Sequence, residues 1–169
     1  MLISAQQIAQ YSKGTVLQDA QGSRFQFDSR LIQLNEWFVI LQGARDGHDF
    51  LDKATQQGCA GAIGQRMPAN WSGGFVQVDD SLQAFQDIAH ALRKEFTGIV
   101  VGITGSAGKT TTRALTASVL SEGGVVHQTH GNFNNHIGVP KTITDAAGDE
   151  YAWVLEMGMS ALREIHVLQ

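Results

Sequence analysis

The sequence predicts an α/β fold: a small mixed α/β domain followed by an incomplete domain built on a parallel sheet with a P-loop-like turn. Three observations carry this. Short apolar or β-branched runs alternate with stretches of helical spacing along the chain. The 19 glycines, against 2 prolines, fall mostly between those segments, where tight turns are needed. The run Ile99 to Thr104 then feeds a glycine-rich turn and a helix-forming segment, the signature of a βαβ unit.

The elements follow in order. Ser4, with Gln7 three residues on, makes a capping box for a first helix whose apolar face holds Ile8 and Ala9, and Gly14 bounds it. The segment from Phe25 to Arg30 begins by alternating, and Trp37 to Leu41 is an apolar run closed by Gly43, the length of a buried strand. Asp49 can cap a helix through Ala54 that stops near Gly58, and Ala60 to Gly64 reads as a further strand. Phe75 to Val78 reads as another. Asp80 or Ser81 then caps a helix with Leu82, Phe85, Ile88, Ala89, Leu92 and Phe96 at helical spacing. Thr97-Gly98 ends that helix and the composition changes, so the boundary is expected there: a first domain over 1–97 and a second over 98–169. The second repeats strand, loop, helix: a strand over Ile99 to Thr104, a helix holding Arg113 to Leu120 and ended by Gly123-Gly124, and strands at Val125 to Gln128 and Tyr151 to Leu155. Such alternation implies right-handed crossovers and a parallel sheet covered on both faces. Three strands are few for that architecture, and Gln169 falls inside what reads as another helix, so the second domain is expected to be unfinished.

Composition narrows the function. With 43% apolar residues among 169, a packed core is available, whereas 17% charged residues and a net charge of −4 leave no basic field for nucleic acid or an anionic membrane. Any phosphate must be held locally. Cys59 is the lone cysteine, which excludes an intrachain disulfide and favours a reducing compartment. The opening MLISAQQIAQ lacks a basic and then apolar leader, and no run approaches the roughly 18 apolar residues of a membrane span. A cytoplasmic protein is expected.

The strongest chemical signal is Gly105-Ser106-Ala107-Gly108-Lys109-Thr110-Thr111. A strand delivers the chain into a turn whose amides can surround a polyphosphate, and the following helix presents the positive end of its dipole. Lys109 would sit on the β- and γ-phosphates and the Thr110 hydroxyl would ligate Mg²⁺. Ile103 stands where the strict pattern has its first glycine, so the loop is a variant anchored on Gly105. Glu156 ends the apolar run Tyr151 to Leu155, which puts a carboxylate at the carboxyl end of a parallel strand, where a Mg²⁺ ligand belongs. A third element, Gly131-Asn132-Phe133-Asn134-Asn135-His136-Ile137-Gly138-Val139-Pro140, follows the second strand on the same edge, and its amides could clamp phosphate or a substrate carboxylate. His127, His130 and His136 are irregularly spaced and have no cysteine partner, so they read as solvated loop histidines rather than a zinc site.

Together TGSAGKTT, GNFNNHIGVP and VLEMG with the later Arg163-Glu164-Ile165 resemble the amino-terminal part of the Mur ligases. Asp28-Ser29-Arg30, the strand Phe38 to Leu41 with Gly43, and Asp46-Gly47-His48-Asp49-Phe50 are similar to segments of that family's uridine-nucleotide-binding domain, although Leu34-Asn35-Glu36 stands where the family usually has Pro-Gly-Asp. The resemblance implies an ATP- and Mg²⁺-dependent amide-forming ligase of peptidoglycan synthesis that joins D-Ala-D-Ala to UDP-MurNAc-tripeptide through an acyl phosphate. It implies Lys109 for transition-state charge, Thr110 and Glu156 for metal, Asn134 or Asn135 as a substrate or nucleotide clamp, and Ser29 and Arg30 for the uridine nucleotide. The family has three domains, so the resemblance also implies a fragment inactive alone. Two other readings are a non-catalytic nucleotide-binding module and a related ligase with another substrate, of the folylpolyglutamate or cyanophycin synthetase kind.

Overall fold

The structure, a computed structural model, describes residues 2–43 and 46–158. The helix expected near Gln169 and the Arg163-Glu164-Ile165 segment lie outside the described residues. The chain forms two compact units, Met1–Ile88 and Ala89–Gln169.

The first unit begins with β1 (Ile3–Ser4) and α1 (Ala5–Ser12), joined by the expected capping box: Gln7 N donates to Ser4 Oγ at 3.2 Å and Ser4 N donates to Gln7 Oε1 at 3.0 Å. Then come β2 (Thr15–Gln18), β3 (Gln21–Gly22), β4 (Phe25–Gln26) and β5 (Trp37–Val39). A 3₁₀ turn (Gly47–Phe50) leads into α2 (Leu51–Gln56), followed by β6 (Gly61–Gly64) and β7 (Gly74–Gln77). The helix α3 (Ser81–Glu95) starts in this unit, its first-turn amides Leu82 N and Gln83 N donating to Asp80 Oδ1. Five strands make one sheet in the order β2-β7-β6-β5-β4, parallel except for β2, while β1 and β3 pair separately and antiparallel.

Strands β5 and β6 are buried at every residue, as parallel strands covered on both faces must be. Ile32, Phe38, Ile40, Leu51, Ala54, Ala62 and Phe75 form a contiguous core. Trp37 is fully buried and its indole N–H donates to Ile3 O at 3.2 Å. Gly61 makes its seat, since a Cβ there would lie 2.4 Å from the indole and 2.5 Å from Gly74 O.

The expected Asp49 cap is corrected. Asp46 starts the 3₁₀ turn instead, accepting from His48 N at 3.0 Å, with His48 Nδ1 at 2.6 Å from the same oxygen and Arg66 at 2.7 Å from the other. The His48 amide, then its ring, hold the Asp46 carboxyl down at about 2.

The second unit contains β8 (Ile99–Ile103), α4 (Lys109–Leu120), β9 (Val126–Gln128), α5 (Gly138–Asp145) and β10 (Ala152–Glu156). Its three strands are parallel in the order β8-β10-β9, so the last strand lies between the first two. The expected parallel sheet is present, with each strand within a residue of its sequence reading. Ile103, Ala117 and Val154 pack together with Val101, Leu120 and Val126 on the α4 side. Trp153 stacks on Phe96 at 3.9 Å with the rings 5° from parallel, and its indole N–H donates to Glu150 Oε2 at 3.0 Å.

Helix α5 is an addition to the sequence reading, which left this stretch as a connection. Pro140 sits in its first turn, where a missing N–H costs nothing, and every residue from Gly138 to Thr144 is buried.

Candidate functional site

The site in the second unit is assembled at the carboxyl ends of β8 and β10. The chain leaves β8 through Thr104 into a turn that only glycine adopts readily: Gly105 has φ 151° and Gly108, at the start of α4, has φ 76°. No side chain caps α4, so its first-turn amides keep the unsatisfied donors that make a helix N-terminus attractive to anions. Lys109 Nζ reaches back across the turn and donates to Gly105 O at 2.8 Å. Ser106, Ala107, Thr110 and Thr111 are exposed around it.

Register places the acid. Glu156, the last residue of β10, pairs with Ile103, the last residue of β8, so the carboxylate stands beside the point where the glycine turn begins. Glu156 is buried at 3% exposure, and both of its oxygens are engaged. Thr110 Oγ1 donates to Oε2 at 3.0 Å and Asn134 Nδ2 donates to Oε1 at 2.9 Å. Its main chain is fixed as well, because Glu156 N donates to the hydroxyl of fully buried Thr129 at 2.9 Å. Sequence reasoning missed Thr129. The bond joins the residue after β9 to the end of β10, a juxtaposition set by strand order rather than by any local pattern.

Asn134 and Asn135 part ways. Asn134 turns to Glu156, whereas Asn135 Oδ1 accepts from Ile137 N at 3.1 Å and Gly138 N at 2.8 Å, the work of a residue opening α5. Two of the three histidines meet, the His127 and His130 rings lying edge-on with centroids 6.3 Å apart. His127 is half-buried rather than solvated, with Nε2 2.6 Å from Thr142 O and its ring edge-on to Trp153, while His130 and His136 are exposed. Among the described residues, no three His, Cys, Asp or Glu side chains converge as a metal cluster.

Two hard oxygens, a hydroxyl and a carboxylate, suit Mg²⁺, a cation that fills most of its shell with water and phosphate and takes one or two ligands from protein. The residues present therefore fit that ion. The glycine turn next to them fits the phosphates.

In the first unit, Ser29 and Arg30 line an open cleft of about 620 Å³ together with Phe27, Asp28, Phe50 and Lys53. Ser29 is buried and Arg30 is exposed, its guanidinium paired with Asp28 at 2.6 Å. The Arg30 side chain, then its amide, hold the Asp28 carboxyl at about 2. Phe27 and Lys53 carry no motif role in the sequence, whereas Phe50 closes the Asp46-Gly47-His48-Asp49-Phe50 segment already singled out there. Two aromatic rings beside cationic side chains are suited to a base and a phosphate.

A parallel α/β unit with a glycine turn at one strand end and an acid at the end of the neighbouring strand defines a P-loop-like class of protein. Residues 103–169 match the Mur ligase middle domain. The chain is 42% identical over 144 residues to the UDP-N-acetylmuramoyl-tripeptide–D-alanyl-D-alanine ligase of Bacillus subtilis, covering 83% of this chain and 32% of that one. It is 40% identical over 145 residues to the ligase of the same name from Synechocystis, with the same coverage. Crystal structure I of MurF from Acinetobacter baumannii superposes with a TM-score of 0.90 at 29% identity, over 99% of this chain and 38% of that one. MurF ligase from Thermotoga maritima, solved in complex with ADP, gives 0.74 at 35% identity, over 86% of this chain and 34% of that one. The chain belongs to the Mur ligase family, and it spans about a third of the length of the curated relatives it matches.

Proposed function

We propose that this chain supplies the uridine-nucleotide-binding domain (1–97) and the first part of the ATP-binding domain (98–169) of a cytoplasmic ligase that adds D-Ala-D-Ala to UDP-MurNAc-tripeptide. The names of the relatives support the substrates, and the Thermotoga structure with ADP supports the nucleotide. The observation that carries the reading is the convergence of Lys109, Thr110 and Glu156 where β8 and β10 end. No helix among the described residues is long and apolar enough to cross a membrane.

In the proposed reaction the terminal carboxylate of the tripeptide attacks the γ-phosphorus of ATP and ADP leaves. The amine of D-Ala-D-Ala then attacks the acyl carbon, loses a proton, and expels phosphate as the amide forms. The first step brings two anions together, so its barrier is electrostatic. Lys109, released from Gly105 O, would place its ammonium against the transferring phosphoryl group. The amides of Gly105 to Thr111 would hold the β- and γ-phosphates. Thr110 and Glu156 would hold Mg²⁺, which when bound supplies charge to the phosphate oxygens. The loop carrying Asn134 and Asn135 would border the substrate side. In the first unit, Ser29 and Arg30 would hold the uridine nucleotide, with Phe27, Phe50 and Lys53 completing the cleft.

Phosphate release by the full-length protein, given ATP, Mg²⁺, UDP-MurNAc-tripeptide and D-Ala-D-Ala, tests this. Turnover that depends on D-Ala-D-Ala is expected. Nucleotide affinity without turnover would favour a binding module, and turnover with glutamate or another amine in its place would favour a related ligase.

A further inference from the structure

We propose that Asn134 is a positioning residue of the cation site: its side-chain amide fixes the Glu156 carboxylate for metal rather than clamping substrate. The inference rests on the reading of Glu156 as a Mg²⁺ ligand. It changes the role that the asparagine-rich motif suggests.

The geometry is specific. Asn134 Nδ2 donates to Glu156 Oε1 at 2.9 Å, which leaves Oε2, the oxygen that also meets Thr110 Oγ1, as the one turned to the glycine loop. A buried carboxylate rotates about its last torsion unless something holds it, because that sp³–sp² torsion is broad. Asn134 supplies the hold. It is neutral, so it orients the acid without cancelling the charge a cation needs.

The main chain that carries the Asn134 amide is itself held. The chain turns straight after Glu156, and Gly158 N donates to Asn134 O at 2.6 Å. A Cβ at Gly158 would stand 3.2 Å from both Asn134 Cγ and Oδ1 and 3.3 Å from its main-chain oxygen, closer than ordinary contact. Gly158 thus leaves room for the amide to lie between it and the carboxylate. The two motifs GNFNN and LEMG are connected physically: one brings the acid and the glycine, the other brings the donor that fits between them.

The test uses the full-length protein with ADP and Mn²⁺ as a paramagnetic substitute for Mg²⁺, reading bound metal by electron paramagnetic resonance. Asn134→Ala should weaken Mn²⁺ binding in the presence of ADP by roughly 10- to 100-fold, the usual cost of losing a group that orients a metal ligand, and leave metal-free ADP affinity unchanged. Asn134→Leu, which keeps the volume without the donor, should do the same and covers the case in which Ala disturbs the loop. Gly158→Ala should reproduce part of the loss by displacing the amide. In a Glu156→Gln background, Asn134→Ala should have no further effect. Wild-type Mn²⁺ affinity in the Asn134 variants, with Glu156→Gln defective, overturns the proposal while leaving the metal reading intact. Wild-type affinity in Glu156→Gln removes the metal reading, and the proposal goes with it. An undiminished Asn134→Ala loss in the Glu156→Gln background also overturns it, since the amide would then act by another route.

Discussion

Replacing Glu156 by Gln separates the structural and functional duties of this carboxylate. Without ligand, the side chain is buried and accepts from Thr110 Oγ1 and Asn134 Nδ2. A glutamine can keep both contacts, its carbonyl accepting from Asn134 and its amide donating to the Thr110 hydroxyl, which rotates to accept. The variant also sheds a buried charge, whose desolvation is a cost to the folded state. The ligand-free stability is therefore expected to change by no more than about 1 kcal/mol, with a gain as plausible in sign as a loss. Cation-dependent binding should respond differently. A ligand at 100 times its Kd stabilises the folded state by about 2.7 kcal/mol, which for a chain of this size is a Tm increase of roughly 5–11 °C. Thermal unfolding of the wild type should show such a shift when Mg²⁺ is added to ADP near that saturation, and Glu156→Gln should show the small ADP shift alone. Two results would refute the reasoning: a full Mg²⁺-dependent increment in the variant, or a ligand-free loss above about 3 kcal/mol, the mark of a broken buried pair.

Other positions yield further expectations. Lys109→Ala should abolish turnover by the full-length protein while sparing uridine-nucleotide binding, measured by calorimetry; surviving phosphate release would remove Lys109 from the chemistry. Gly61→Ala drives a methyl to within 2.4 Å of the Trp37 ring and should cost about 1–3 kcal/mol by urea unfolding; an unchanged midpoint would mean the indole seat is loose. Burial pushes the Glu150 carboxyl up, but hydrogen bonds from the Trp153 indole and the Ala147 and Gly148 amides more than offset it, leaving it below its ordinary 4.5. Its contribution is thus complete above pH 4.5 and lost as pH falls through the lower folded value. Acid unfolding curves of Glu150→Gln should be flatter than wild type in that window, and identical slopes would contradict this.

Where a feature depended on neighbours in sequence, it could be read from sequence. Ser4 and Gln7 cap α1 because a capping box is closed within four residues, and β8, β9 and β10 were visible because buried parallel strands are near-continuous apolar runs. The glycine turn was readable for the same local reason. Helix α5 was not: Val139, Thr142, Ile143 and Thr144 are β-branched and Pro140 interrupts the pattern, so propensity argues against the helix that burial enforces. Asp46 outcompetes Asp49 because its second oxygen also meets Arg66, a partner 20 residues away. The acid at the end of β10 stands beside the glycine turn, but its attachments to Thr129 and Asn134 follow from the strand order β8-β10-β9. Sequence shows which side chains carry chemistry. Topology decides which of them meet.

This distinction bears on why an amide, and not a basic side chain, stands beside Glu156. A lysine or arginine on Oε1 would hold the carboxylate more strongly, since charge-assisted bonds are about twice as strong as neutral ones. It would also place a positive charge within a few ångströms of the proposed Mg²⁺ position, and a unit charge 4 Å from a divalent one is repelled by about 8 kcal/mol at the effective dielectric of a partly exposed site. A repulsion of that size is worth several powers of ten in metal affinity. Asn134 avoids the conflict by orienting without charge, and Thr110 does the same on the other oxygen. The nearest basic group of the loop, Lys109, is held instead on Gly105 O, at the side from which the phosphates would enter.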